Sequence, residues 1–133
     1  MAFTTWSTAL LGMAFVGSLG ASAHATTPIT AKEAAAKVQT GDAVLIDVRE
    51  ADEIKFGKAT PAISLPLSDV QNHTALYQKV LDGLDPKKQV IVYCVSGARS
   101  NKVAIELEAK GFKTANLGSF KSWQDAGLPT TKP

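Results

Sequence analysis

The chain carries one cysteine, Cys94, two arginines, Arg49 and Arg99, and two histidines, His24 and His73. A single thiol excludes an internal disulfide framework and every multi-cysteine metal knuckle. Two histidines are too few for a histidine-rich zinc or copper centre, so no metal or other cofactor is expected. What remains is thiolate chemistry. Cys94 follows the apolar run Gln89-Val90-Ile91-Val92-Tyr93 and precedes Val95-Ser96-Gly97-Ala98-Arg99. The small residues Ser96, Gly97 and Ala98 let such a segment curl until several backbone N–H groups point inward. A helix N-terminus beneath them then favours negative charge. A thiol in that place has a depressed pKa, and its thiolate is a nucleophile. The same N–H groups suit an anionic substrate. The competing reading makes Cys94 a small hydrophobe closing a core strand, which is common for free cysteines. Arg99, five positions on and placed to brace the loop, favours the reactive reading.

Such a loop needs a scaffold, and the rest of the chain describes one. Ala43-Val44-Leu45-Ile46-Asp47-Val48 is a continuous apolar run, the pattern of a strand buried on both faces. Before it, Thr30-Ala31-Lys32-Glu33 reads as a capping box opening a helix that stops at Gly41. Further strands are expected over 62–65, 89–93 and 114–117. Helices are expected over 74–81, with Leu76, Val80 and Leu84 on one face, and over 99–110, with Val103 and Leu107 inward and Gly111 at the end. A last helical turn covers 119–125. Buried strands alternating with helices define an α/β fold: three layers, α/β/α, around a mostly parallel central sheet. In open sheets of this kind chemistry sits beyond the carboxyl ends of the strands. Cys94 falls there, and so do Asp47 and Arg49.

The chain has 133 residues, 45% of them hydrophobic, which is enough for one domain with a real core. Fourteen basic against 12 acidic residues leave a net charge of +2, without the dense basic face that nucleic acid requires. No charged residue precedes Lys32. The apolar run over 9–19 is shorter than the about 20 residues needed to span a bilayer. Small residues follow it, and both Ala21-Ser22-Ala23 and Ala23-His24-Ala25 fit a small-x-small cleavage site. Residues 1–25 therefore read as a signal peptide, although no Lys or Arg marks its start; the alternative is a retained apolar helix. The expected mature chain is a single domain over 26–133, periplasmic or secreted and not stably inserted in a membrane. An unpaired cysteine in an oxidising compartment points to a thiol whose reactivity is used.

Cys94-Val95-Ser96-Gly97-Ala98-Arg99 resembles the C-x-x-G-x-R active-site loop of the rhodanese, or thiosulfate sulfurtransferase, superfamily. Leu45-Ile46-Asp47-Val48-Arg49-Glu50, with Asp52-Glu53 after it, resembles that family's L-I-D-V-R-E-x-x-E signature with the acid shifted by one residue. The stretch from Gly57 to Pro66 is similar to its G-H-I-x-G-A-x-x-I-P segment. Leu117-Gly118-Ser119, Trp123 and Ala126-Gly127-Leu128-Pro129 resemble its closing motif. These four ordered matches span about residues 30 to 130. Lys58 stands in place of the usual His, Pro61 in place of Gly, and Ser119 in place of a second Gly. If the backbone at Ser119 needed a positive φ, the side chain would cost about 1 kcal/mol.

The resemblance implies a rhodanese-like fold of the small exported type and a double displacement. Cys94 attacks the outer sulfur of a small anionic donor such as thiosulfate and becomes a persulfide. A thiol, a protein sulfur acceptor or, in an assay, cyanide then removes that sulfur. Val95, Ser96, Gly97, Ala98 and Arg99 would hold the donor. Asp47 and Arg49 would support the loop, Asp47 by pairing with Arg99 and Arg49 by holding the adjoining turn. The competing reading makes them a solvent-facing pair worth about 0–1 kcal/mol. Trp123 is expected in the core with its N–H partnered, and His73 at the surface. Two other functions stay open: an oxyanion enzyme of the phosphatase or arsenate-reductase type, and a non-catalytic rhodanese-like binding module. Phosphatases of this superfamily have five residues between Cys and Arg, where this chain has four. A lone thiol at the surface would also form disulfide dimers under oxidation.

Overall fold

A computed structural model describes residues 26–133, so the expected leader and its cleavage sites lie outside the described residues. In chain order the elements are α1 (Ala31–Gln39), β1 (Ala43–Asp47), α2 (Ala51–Ile54), β2 (Lys58–Ala59), β3 (Ile63–Ser64) and α3 (Leu67–Gln71). They continue with α4 (Ala75–Gly83), β4 (Gln89–Cys94), α5 (Ala98–Ala109), β5 (Thr114–Ser119), α6 (Phe120–Asp125) and β6 (Thr130–Thr131).

The apolar runs become the centre of a four-stranded parallel sheet in the order β3-β1-β4-β5. Period-two alternation divides their side chains between the two faces. Ile46, Val90, Val92 and Cys94 pack with Val70, Tyr77, Val103 and Leu107 beneath α3, α4 and α5. Leu45, Ile91, Tyr93, Ala115 and Leu117 pack with Ala34 and Trp123 beneath α1 and α6. Between Gln89 at the start of β4 and Asp47 at the end of β1, the central strands carry apolar side chains on both faces because both faces are covered. The alternation also decides that Cys94 points to the side occupied by α5. An antiparallel pair, β2 with β6, closes the segment after α2 against the C-terminus.

Local signals explain the helix ends. The Thr30 hydroxyl accepts from Glu33 N–H while the Glu33 carboxylate accepts from Thr30 N–H, which is the expected capping box. Gly41 and Gly111 follow α1 and α5 with positive φ. On α4, Val80 and Leu84 pack on the core as expected, with Tyr77 deeper than either, while Leu76 stays outside it. Tyr77 is buried and its hydroxyl donates to Glu106, whereas Leu76 is exposed. The expected strain at Ser119 is also absent. Its φ is −122°, and its hydroxyl accepts from Ser122 N–H to cap α6. The positive φ falls one residue earlier, at Gly118, where the β4–β5 register slips between Val92 and Tyr93. Trp123 is buried and donates its Nε1–H to the Pro129 carbonyl at 2.7 Å.

Candidate active site

β4 ends at Cys94, and the chain turns through Val95-Ser96-Gly97 straight into α5. Gly97 is the pivot. Its φ of +95° suits only glycine, and a Cβ there would stand 3.3 Å from the Gly118 Cα on β5. The turn brings Gly97 N–H to 3.1 Å from Cys94 Sγ and the Ser100 hydroxyl to 3.4 Å. Burial pushes the thiol pKa up. Hydrogen bonds from the Ser100 hydroxyl and from the N–H groups of Ser100, Gly97 and Ser96 outweigh that and hold it below the ordinary thiol value. The N-terminus of the 12-residue α5 acts in the same direction. Val95, Ser96 and Ala98 are exposed around the loop, but Cys94 itself is fully buried. The thiol is therefore not the surface group that would dimerise readily on oxidation.

Arg99 does not pair with Asp47. Its two terminal nitrogens donate to the two carboxylate oxygens of Glu53 on α2, each at 2.7 Å. The Arg99 hydrogen bond, helped by Glu50 N–H, overcomes partial burial and lowers the Glu53 pKa to about 2. That bond in turn raises Arg99, so both groups are charged over the ordinary pH range. The bidentate pair ties the first turn of α5 to α2 beside the cysteine loop.

Asp47 is enclosed instead by its own neighbours. Its carboxylate accepts from Arg49 N–H and Nε at 3.0 Å, from Arg49 Nη2 at 2.7 Å and from the Tyr93 hydroxyl at 2.6 Å. Arg49 Nη2 also donates to the Gly57 carbonyl at 2.7 Å, and the guanidinium lies 4.3 Å from the Phe120 ring centre. Burial first, then the hydrogen bond to Asp47 and its charge, raise the Tyr93 pKa. The phenol stays protonated, donating to Asp47 and accepting from Ala59 N–H. Asp47 is 0% and Arg49 5% exposed, so this pair is an interior strut and not a solvent-facing one. It joins β1, β4 and the Gly57 turn under the rim that carries Cys94.

Ser100 and Asn116 belong to the site although the motif reading passes over both. The Ser100 hydroxyl is 2.8 Å from Asn116 Oδ1, which also accepts from Gly118 N–H, while Asn116 Nδ2 donates to the Gly97 carbonyl. The available signal was a polar residue inside the otherwise apolar stretch Ala115-Asn116-Leu117. His73 is exposed, with its Nε2 3.5 Å from Glu106. Among the described residues, no group of three or more His, Cys, Asp or Glu side chains is arranged to hold a metal, and no helix is long and apolar enough to cross a membrane.

A rhodanese-like domain matches residues 30–126. The chain belongs to the rhodanese family. The thiosulfate sulfurtransferase GlpE of Actinobacillus succinogenes is 35% identical over 107 residues, covering 79% of this chain and 90% of that protein. The protein of the same name from Glaesserella parasuis is 35% identical over 105 residues, 77% and 91% of the two chains. Among solved structures, a rhodanese-related protein from Thermoplasma volcanium superposes with a TM-score of 0.66 at 25% identity, over 80% of this chain and 99% of its own. Fold, relatives and single cysteine are those of a rhodanese-type sulfurtransferase. Two of this rhodanese domain's departures from the family pattern sit together at one edge. Lys58 opens β2 and donates to the Ser64 hydroxyl at 3.3 Å, and Pro61 lies in the link to β3.

Proposed function

We propose that this protein moves a sulfane sulfur from thiosulfate, or a donor of the same chemistry, to a thiophilic acceptor through a persulfide on Cys94. The observation that carries this reading is the placing of Cys94 Sγ at the end of β4, 3.4 Å from the Ser100 hydroxyl and 3.1 Å from Gly97 N–H, contacts that hold the thiol below its ordinary pKa. The thiolate attacks the outer sulfur of thiosulfate. The S–S bond of the donor breaks, sulfite leaves with the bonding pair, and Cys94 becomes the persulfide anion. An acceptor thiolate or cyanide then takes the terminal sulfur and restores the Cys94 thiolate, so neither half needs an external oxidant or reductant.

Inward N–H groups between Val95 and Arg99 bind the donor's charge, while Arg99, engaged by Glu53, fixes the loop. Asp47 and Arg49 act one layer below, as supports for the strand ends. Four residues between Cys94 and Arg99 suit a cradle smaller than a phosphate loop, which favours sulfur over phosphoryl chemistry. The absence of charge before Lys32 and the apolar run over 9–19 support export, with the catalytic domain working in the periplasm or outside the cell. The test is thiocyanate formation from thiosulfate and cyanide by the purified domain. Turnover that disappears in Cys94→Ser supports the proposal; phosphate release from an aryl phosphate without thiocyanate formation overturns it.

A further inference from the structure

The hydroxyl of Ser100 has one hydrogen and two acceptors within reach. Asn116 Oδ1 lies 2.8 Å away and Cys94 Sγ 3.4 Å away. Ser100, like Cys94, is fully buried. The amide of Asn116 is oriented independently of Ser100. Its Nδ2 donates to the Gly97 carbonyl at 3.0 Å, and its Oδ1 accepts from Gly118 N–H at 2.9 Å. Oδ1 therefore keeps a partner whichever way the hydroxyl points. The sulfur is different. A thiol can donate to the Ser100 oxygen, whereas a thiolate only accepts.

We propose that Ser100 is a two-position donor to the reacting sulfur: its O–H points at Asn116 while Cys94 is a thiol and turns to Sγ when Cys94 is a thiolate. Ser100 keeps its proton throughout, and only the direction of the O–H bond changes. Asn116 is the positioning residue that makes both directions available, and the β5 bulge at Leu117-Gly118 sets its place against the loop. Resting on the sulfurtransferase reading, this gives Ser100 a part in both half-reactions. The thiolate is the attacking group in the first and the leaving group in the second, so a donor to it raises the ionised fraction for the first and stabilises the departing sulfur in the second.

The charged groups around this sulfur are few. Arg99 of α5 is engaged by Glu53, with Glu50 beside it, and the Asp47–Arg49 pair lies at the end of β1. The β5 residues Thr114–Ser119 carry no charge, and Asp69 of α3 accepts from the Thr74 hydroxyl. None of these contacts involves Ser100, so replacing it leaves the charges in place.

Ser100→Ala is a clean deletion. Alanine is at home in a helix, and Asn116 Oδ1 retains the Gly118 N–H, so no buried polar atom is orphaned. Thermal unfolding of the variant checks this. The measurement is the rate of Cys94 alkylation by iodoacetamide against pH. A hydrogen bond to an ionised group is strong enough that its loss raises the midpoint by about one pH unit, tenfold in thiolate fraction below both midpoints. The proposal expects that rise in Ser100→Ala and a wild-type midpoint in Ser100→Thr, which keeps the hydroxyl. An unchanged midpoint in folded Ser100→Ala overturns it. Alkylation needs no sulfur donor. A wild-type protein that takes no sulfur from thiosulfate would sink the functional reading alone, whereas an unchanged Ser100→Ala midpoint beside normal sulfur uptake would sink only this one.

Discussion

Replacing Asp47 with asparagine keeps the side chain's shape and removes its charge, which isolates what the buried strut contributes. The native carboxylate is wholly enclosed and accepts from Arg49 N–H, Nε and Nη2 and from the Tyr93 hydroxyl. In the variant one oxygen becomes an NH2 group, which faces the donors of Arg49. Arg49, 5% exposed, then lacks its counter-ion. Breaking a buried pair by removing one partner costs about 3–5 kcal/mol. Arg49 would keep the Gly57 carbonyl and the face of Phe120, which places the loss at the lower end, about 3 kcal/mol. Against a typical total of about 5–15 kcal/mol, that is a large share. With urea slopes of about 1–3 kcal/mol per molar, the unfolding midpoint falls by about 1–3 M. Equilibrium urea unfolding followed by far-UV circular dichroism measures it, with an unchanged slope showing that the unfolded state is not altered. A loss below about 1 kcal/mol, the range of an exposed pair, would refute the description of Asp47–Arg49 as an interior strut.

The Arg99–Glu53 pair is partly exposed and should behave differently. Glu53 has a folded-state pKa of about 2 against 4.5 in its ordinary state, so its stabilisation is present above about pH 4.5 and is lost as the pH falls towards 2. Glu53→Gln should lack that part of the acid loss, and unfolding midpoints that fall in parallel with wild type between those pH values would contradict the assignment. Gly97→Ala forces a side chain into a positive φ and 3.3 Å from the Gly118 backbone. It should destabilise the domain by about 1–3 kcal/mol and slow Cys94 alkylation at neutral pH, and unchanged stability together with an unchanged alkylation rate would show that the loop does not depend on this contact.

Local patterns made much of this molecule readable in advance. The apolar runs over 43–48 and 89–93 are short and rich in Val and Ile, which marks them as strands, and the capping box at Thr30 states where α1 begins. The cysteine loop was legible because its chemistry is contiguous: strand, small residues and arginine within seven positions. Contacts across the fold were not. Arg99 meets Glu53, 46 positions away, and neither motif says which of the acids Asp47, Glu50, Asp52 or Glu53 it will reach. Asp47 was lost to Arg99 because Arg49 and Tyr93 already surround it. Asn116 stands beside the bulge that slips the β4–β5 register, and the positive φ lies at Gly118, not at Ser119. β2 and β6 are two residues each and show no periodicity to read. On α4 the capping Thr74 starts the helix so that Tyr77, not Leu76, turns inward.

Sulfur transfer by this domain requires Cys94 to carry a transferable sulfur. Intact-mass measurement of the purified domain after incubation with thiosulfate tests it most directly. One added sulfur is expected, absent from Cys94→Ser and removed by cyanide with release of thiocyanate. A wild-type protein that gains no sulfur, or a Cys94→Ser variant that gains it equally well, would contradict it.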